Sequence, residues 1–115
     1  MKEHLMGLAP APMKSLREGS KTIELRLYDE KRQKIAAGDT IRFTNMQDPT
    51  DVLCAVVEDM FIFDSFAELY KNLSLSECGY TKDNIDKASP EDMNLYYSEE
   101  KQSKYKVVGI KIFLK

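Results

Sequence analysis

The chain has 115 residues, enough for one domain with one hydrophobic core and too few for two. Its hydrophobic content of 43% and charged content of 31% are ordinary for a folded soluble domain and argue against a disordered chain. No apolar run approaches the ~20 residues that a membrane span needs. Residues 1–115 are therefore predicted to form a single domain with no membrane partner.

The net charge of −2 is unevenly distributed along the chain. Residues 1–45 carry nine Lys or Arg and six Asp or Glu, whereas residues 46–115 carry eight and thirteen. The basic surplus of the first part is too small for the phosphate contacts that dominate binding to double-stranded DNA. It suits a local site for one small anionic or polar ligand, or for a short single strand.

The N-terminus and the cysteines predict a cytoplasmic protein. Residues 1–4 begin neither a long apolar segment nor a small-residue cleavage site, so no secretory signal is expected. Cys54 and Cys78 are too few for a disulfide framework, and we expect reduced thiols. One His and two isolated Cys provide no metal-ligand spacing, so neither a metal nor a cofactor is predicted.

The first elements are a short strand and a helix. Residues 3–8 are predicted as the strand, and the helix begins at Pro10 and Pro12 and ends at Gly19. Proline is tolerated in a first helical turn, and glycine favours the backbone conformation that ends a helix. His4 is expected to be structural, because no neighbour in the sequence orients it as a base.

The stretch from Lys21 to Tyr28 alternates as a β-strand. Its apolar residues are predicted to face the core, and Glu24 and Arg26 to share the opposite face. Lys21 has the wrong parity for that face, but its long side chain lies at the loop–strand junction and can reach round. Spacing alone leaves two interpretations open, a solvated face with a weak ion pair and a ligand site.

Loops and strands alternate in the middle of the chain. Arg32 lies in a charged segment that is predicted as a loop or a turn of helix. The predicted order is a loop at residues 29–35, a strand at 40–44, a turn-rich connection at 45–51 and a strand at 52–63 with a bend at Glu58-Asp59.

Capped helices precede the last strand. Ser65 and Ser89 are predicted N-caps, the first beginning a helix of about two turns and the second having proline at its first helical position. Tyr96 and Tyr97 share one face after the second cap. Two positions remain open for them: both in the core, or one of them at the rim of a ligand site. Residues 99–104 are predicted as a charged connector and residues 105–114 as the last strand, which is expected to be central in the sheet.

The motif strand resembles a known family. The sequence Gly19-Ser20-Lys21-Thr22-Ile23-Glu24-Leu25-Arg26 matches the pattern G-x-K-x-x-E-x-R of the ASCH domain, a relative of the PUA-like barrels. The match continues at Gly38-Asp39-x-Ile41-x-Phe43 and in the C-terminal strand, so the chain is similar to a single-domain bacterial-type member. The resemblance implies an α+β fold, a small PUA-like mixed or antiparallel β-barrel with short helices packed around it and a cleft between barrel and helices.

The resemblance also implies a function. ASCH domains are suspected of binding RNA or a nucleotide-like small ligand in this cleft, and Lys, Glu and Arg side chains are suited to clamp such a ligand. The residues expected to bind the ligand are Lys21, Glu24, Arg26, Tyr28, Arg32 and Tyr97.

Two alternatives accompany this hypothesis. One branch of the family is an amidohydrolase that removes the acetyl group of N4-acetylcytidine with a Lys, a Thr nucleophile and a Glu. Lys21 matches the lysine, but Glu24 occupies the nucleophile position, where a carboxylate does not replace a hydroxyl. In an enzyme, Lys21 and Glu24 would be the catalytic residues. The second alternative is a regulatory protein-interaction domain, although the sequence predicts no large exposed apolar stripe.

Overall fold

A five-stranded mixed sheet forms the centre of the fold, which is described from a computed structural model covering residues 1–115. Its strand order is β1-β3-β4-β5-β2; β1 and β3 are parallel and the other neighbours are antiparallel. The sheet curves into a half-barrel with β1 and β2 as its two edges, and the predicted α+β class is confirmed. The strands are β1 (Glu3–Leu8), β2 (Ile23–Leu27), β3 (Thr40–Asn45), β4 (Asp48–Phe63) and β5 (Val107–Leu114).

Short helices surround the sheet. The α-helices are α1 (Pro10–Glu18), α2 (Phe66–Asn72) and α3 (Glu99–Tyr105), and single 3₁₀ segments lie at Arg32–Lys34, Ile85–Lys87 and Pro90–Leu95. None of the helices combines the length and apolar character that crossing a membrane would require.

Two hydrophobic clusters lie on the two faces of the sheet. The larger one fills the concave side and includes Met13 and Leu16 of α1. The smaller one lies between the outer face of β2 and β5 and the helices, where Phe66 and Leu69 of α2 pack. The sheet is therefore covered on both faces near β2, and each face of this strand has a different environment.

Strand register decides which cluster each residue of β2 meets. Glu24 pairs with Ile110 and Arg26 with Val108, and both partners in β5 belong to the larger cluster. Directly paired residues project from the same face of an antiparallel sheet. The predicted alternation is correct, but the face of Glu24 and Arg26 is the concave face and not an exterior surface. The apolar residues of β2, Ile23, Leu25 and Leu27, belong to the smaller cluster.

A side-chain hydrogen bond joins the start of β1 to the turn before β3. His4 Nε2 lies 2.9 Å from Asp39 Oδ2, and the same carboxylate accepts hydrogen bonds from the main-chain N–H groups of Lys2 and Ala36. Hydrogen bonds from His4 and from these two amides lower the pKa of Asp39 to about 2. The role of His4 is thus structural, as predicted, because it connects the two strands of the parallel pair.

The turn-rich connection predicted at residues 45–51 is wrong. Residues 46–47 form a tight turn, and β4 begins at Asp48, so Pro49 lies within a strand. A register shift next to Asn45 leaves Pro49 without a paired residue in β3. Because proline has no N–H group, this position loses no hydrogen bond between the strands. A second bulge, between Val57 and Asp59, confirms the bend predicted in this strand.

The charged connector predicted at residues 99–104 is also wrong, because these residues form most of α3. The Ser98 side chain accepts a hydrogen bond from the N–H of Lys101 at the start of the helix. Acidic Glu99 and Glu100 stand in the first turn and Lys104 in the last, which complements the helix dipole. Capping and charge order therefore favour a helix in a segment without an apolar face.

Candidate functional site

Three charged side chains meet at the edge strand β2. Lys21 Nζ lies 2.7 Å from Glu24 Oε1, and Arg26 Nε lies 2.7 Å from Glu24 Oε2. The side chains of Lys21, Glu24 and Arg26 are only 12%, 5% and 15% exposed. This arrangement, called the charged triad below, is a mostly buried cluster and not a solvated ion pair.

The charged triad keeps its carboxylate ionised. Burial raises the pKa of Glu24, but the charges of Lys21 and Arg26 and their hydrogen bonds more than offset this effect, and the pKa lies below its usual value. A cation on each oxygen of a buried carboxylate largely offsets the free-energy cost of removing that carboxylate from water. Glu24 therefore holds both cations in fixed positions at neutral pH.

Arg26 also reaches the opposite edge of the half-barrel. Its Nη2 donates to the main-chain oxygen of Gly7 in β1 at 2.9 Å. Its Nη1 makes no hydrogen bond within the protein, so one arm of the guanidinium remains available to a ligand.

The segment from Glu77 to Gly79 supports Lys21. The main-chain oxygen of Glu77 accepts hydrogen bonds from the N–H groups of Thr22 and Ile23, at 2.8 and 3.0 Å, where β2 begins. Gly79 has a φ of +113°, and a Cβ built there would lie 3.3 Å from Cδ of Lys21. The lysine stem thus packs directly over this glycine. The thiol of neighbouring Cys78 is buried, which raises its pKa to about 11.

A groove with a volume of about 590 Å³ lies between β2 and the helices, where the resemblance places a cleft. The lining is rich in tyrosine and includes one lysine from α3. We call it the tyrosine groove; its lining residues are Leu27, Asp29, Tyr96, Tyr97, Ser98, Lys101 and Tyr105.

Tyr97 lies between the tyrosine groove and the smaller hydrophobic cluster. Its ring stacks on Phe66 with centroids 6.2 Å apart and packs against the smaller cluster. Burial raises the pKa of Tyr97, and the charges of Arg26 and Glu24 act on it in opposite directions. The Tyr97 ring thus lines the groove and also packs against the smaller cluster.

The other two predicted ligand residues lie outside the groove lining. Arg32 is mostly buried and its Nη1 pairs with Asp29 Oδ2 at 3.1 Å, while its buried Nε has no hydrogen-bond partner. Asp29 is the member of this pair that lines the groove. Tyr28 packs against the larger hydrophobic cluster, and its side chain makes no hydrogen bond.

Sequence reasoning missed several groove residues. Ser98, Lys101 and Tyr105 belong to α3 or its cap. The predictions placed Lys101 in a connector and Tyr105 at the start of the last strand; the second was wrong, because α3 ends at Tyr105 and β5 begins at Val107. The sequence does contain a sign of this helix: Ser98 is followed by two acidic residues, a pattern typical of a helix start.

The site carries a small positive charge. In the charged triad, Lys21 and Arg26 provide two cations against the one carboxylate of Glu24. Such a site can hold one anionic group or the polar edge of a planar ring, because it presents donors and an acceptor side by side.

Comparisons with known proteins agree with this fold. The protein PH0355, a hypothetical protein with a crystal structure, is 30% identical with a TM-score of 0.81, over 98% of this chain and 99% of that one. The solution structure of PF0455 from Pyrococcus furiosus is 32% identical with a TM-score of 0.71, over 97% and 96%. A mutant ZmASCH protein from Zymomonas mobilis, 18% identical with a TM-score of 0.68 over 98% and 70%, shares the fold.

A comparison with curated proteins finds no match. The sequence model of the ASCH domain, however, matches residues 6–115, nearly the whole chain. The chain therefore belongs to the ASCH domain family.

Proposed function

We propose that the charged triad binds a nucleotide unit, either of RNA or of a nucleotide-like small ligand. The observation that carries this proposal is the buried triad itself, in which one carboxylate holds two cations at an edge strand. RNA binding is often proposed for ASCH domains, which supports the choice of ligand class.

The chemistry of the triad favours a base edge as much as a phosphate. Both oxygens of Glu24 are bonded, so an anion has to share Lys21 and Arg26 with this carboxylate. The edge of a nucleobase offers donors as well as acceptors, and Arg and Glu side chains pair with such edges. The free Nη1 of Arg26 is a further donor for the ligand.

Direct binding tests the proposal. Fluorescence anisotropy with labelled single-stranded RNA octamers, and NMR titration with the four 5′-mononucleotides, measure affinity for both ligand types. Lys21→Gln is expected to weaken binding at least tenfold while Glu24 keeps its pair with Arg26. Arg17→Gln, which makes the same charge change at an exposed ion pair of α1, is the matched control. Equal affinities of these two variants, or no binding by the wild type, would overturn the proposal.

The amidohydrolase alternative has less geometric support. The lowered pKa of Glu24 makes its carboxylate a weak base for activating water. The nearby hydroxyl of Thr22 donates to Glu77 Oε1 at 3.0 Å and is thereby held by a structural partner. Incubation with N4-acetylcytidine tests this alternative, since turnover abolished by Lys21→Gln would favour an enzyme.

One observation favours the interaction-domain alternative. Strand pairing places Leu5 with Arg42 and Val56 with Phe113 on the convex face of the sheet, and Leu5 and Phe113 are 58% and 51% exposed. A protein partner that binds this face should still bind the Lys21→Gln variant. Substitution of Leu5 and Phe113 by serine should abolish that binding and leave RNA binding intact.

A further inference from the structure

We propose that the tyrosine groove binds an unpaired base next to the nucleotide held by the charged triad, so that the ligand is single-stranded RNA of at least two nucleotides. This inference rests on the proposed function, because it assigns a second contact to the same ligand. Its basis is the chemistry of the groove and the position of the groove on the other face of the triad's own strand.

The groove presents aromatic surface to the solvent. Tyr96 is 72% exposed, and its ring centroid lies 6.5 Å from that of Tyr97 at an angle of 56°. The hydroxyls of Tyr96, Tyr97 and Tyr105 make no hydrogen bonds within the protein. Unstacked RNA bases bind to such platforms by stacking on the rings, and hydroxyls add hydrogen bonds to base edges.

Two lysines of α3 complement a phosphate backbone. Lys101 lines the groove, and Lys104 Nζ lies 5.1 Å above the ring of Tyr105. Neither ammonium group pairs with a carboxylate. Both lysines are therefore free to form ion pairs with the phosphates of an RNA strand that follows the groove.

The groove and the charged triad lie on the two faces of one edge strand. Leu27 lines the groove and directly follows Arg26, whose side chain points to the concave face. β2 pairs with β5 on one side only, so its outer edge is bordered by loops and side chains and not by another strand. Arg26 and Leu27 are consecutive residues of β2, so the two sites lie next to each other along this strand.

This geometry favours a chain over a single nucleotide. The backbone of β2 separates the triad from the groove, so one planar base cannot occupy both sites. A flexible single strand can pass around the edge and place successive units on the two faces. A duplex cannot, because its bases are paired and stacked.

Tyr96→Ala tests the inference without disturbing the core, since this ring is exposed. For labelled A8, C8 and U8 RNA, we expect the affinity to fall about tenfold for the preferred octamer. Tyr96→Phe should retain it, because stacking needs the ring. Leu95→Ala, at a neighbouring side chain that is 85% exposed, is the control and should bind like the wild type.

Mononucleotides separate this inference from the proposed function. NMR titration should show unchanged mononucleotide affinity in Tyr96→Ala and a loss in Lys21→Gln. Octamer binding that is unaffected by Tyr96→Ala but lost in Lys21→Gln would overturn the groove proposal alone. Unchanged octamer binding in both variants would overturn the proposed function as well. A change of oligomeric state in Tyr96→Ala, measured by light scattering, without a change in RNA affinity would identify the groove as a protein interface and overturn the inference.

Discussion

Arg26 donates a hydrogen bond from Nη2 to the main-chain oxygen of Gly7 at 2.9 Å and thereby joins the two edge strands of the half-barrel. The same guanidinium donates from Nε to Glu24 at 2.7 Å. One side chain thus belongs both to the candidate ligand site and to the closure of the sheet. Substitutions of Arg26 are expected to change stability and ligand binding together.

Arg26→Ala is expected to lower the free energy of unfolding by about 3 kcal/mol. The variant leaves the buried carboxylate of Glu24 with one cation and removes the only hydrogen bond between the β1 and β2 edges. Urea denaturation measures the change. Arg17→Ala, at an exposed pair with Asp51, should cost less than about 1 kcal/mol. Equal losses in the two variants would contradict a structural role of the triad.

Glu24→Gln is expected to destabilise the domain by about 3 kcal/mol, because Lys21 and Arg26 would remain buried without a counter-charge. Phosphate should then raise the melting temperature of this variant more than chloride at equal ionic strength, since an external anion can replace the lost carboxylate. Thermal unfolding in the two salts measures this effect. The control is Glu18→Gln, at an exposed helix pair with Lys14. A variant as stable as the wild type would show that the triad is dispensable for folding.

The Asp39 carboxylate is expected to make stability depend on pH in the acid range. Hydrogen bonds lower its pKa from 3.8 to about 2 in the folded protein, so its contribution is complete above about pH 4 and is lost as the pH falls towards 2. Glu24, whose pKa is also lowered, acts in the same direction. Asp39→Asn should therefore be less stable than the wild type at pH 7 and should show a shallower decline below pH 4.

Urea denaturation between pH 7 and pH 2 checks the Asp39 prediction. Asp64→Asn is the matched control, because Asp64 makes an exposed ion pair with Lys106. Parallel pH profiles for Asp39→Asn and the wild type would disprove the assignment.

Gly109→Ala is expected to destabilise the domain by about 1–3 kcal/mol through overpacking. A Cβ at this position of β5, which lies between β4 and β2, would be 2.7 Å from Leu73 Cδ1 and 3.2 Å from Ile23 Cγ2. Gly7→Ala is the control, since its Cβ would meet only the side chain of Met46, which is exposed and can move. Equal melting temperatures for the two variants would show that the contact at Leu73 relaxes without cost.

Much of the fold could be predicted because local patterns determine it. Proline at the start of α1, the φ of +82° at Gly19 and the Ser65 cap agree with the predicted helix ends. The alternation of β2 correctly separated Glu24 and Arg26 from their apolar neighbours. The helix α3 escaped prediction because it has no buried residue, and without an apolar periodicity only its cap identifies it.

The sequence by itself determined that Lys21, Glu24 and Arg26 lie within one short strand and the residues that lead into it. Side chains two residues apart on a strand share a face, and the lysine side chain is long enough to reach them from the start of the strand. Only the tertiary structure decided that these side chains face the concave side of the sheet, since the alternation within β2 gives no sign of which of its two faces is enclosed. The tyrosine groove likewise depends on the packing of α3 beside β2, a contact between segments about 70 residues apart that no local pattern specifies.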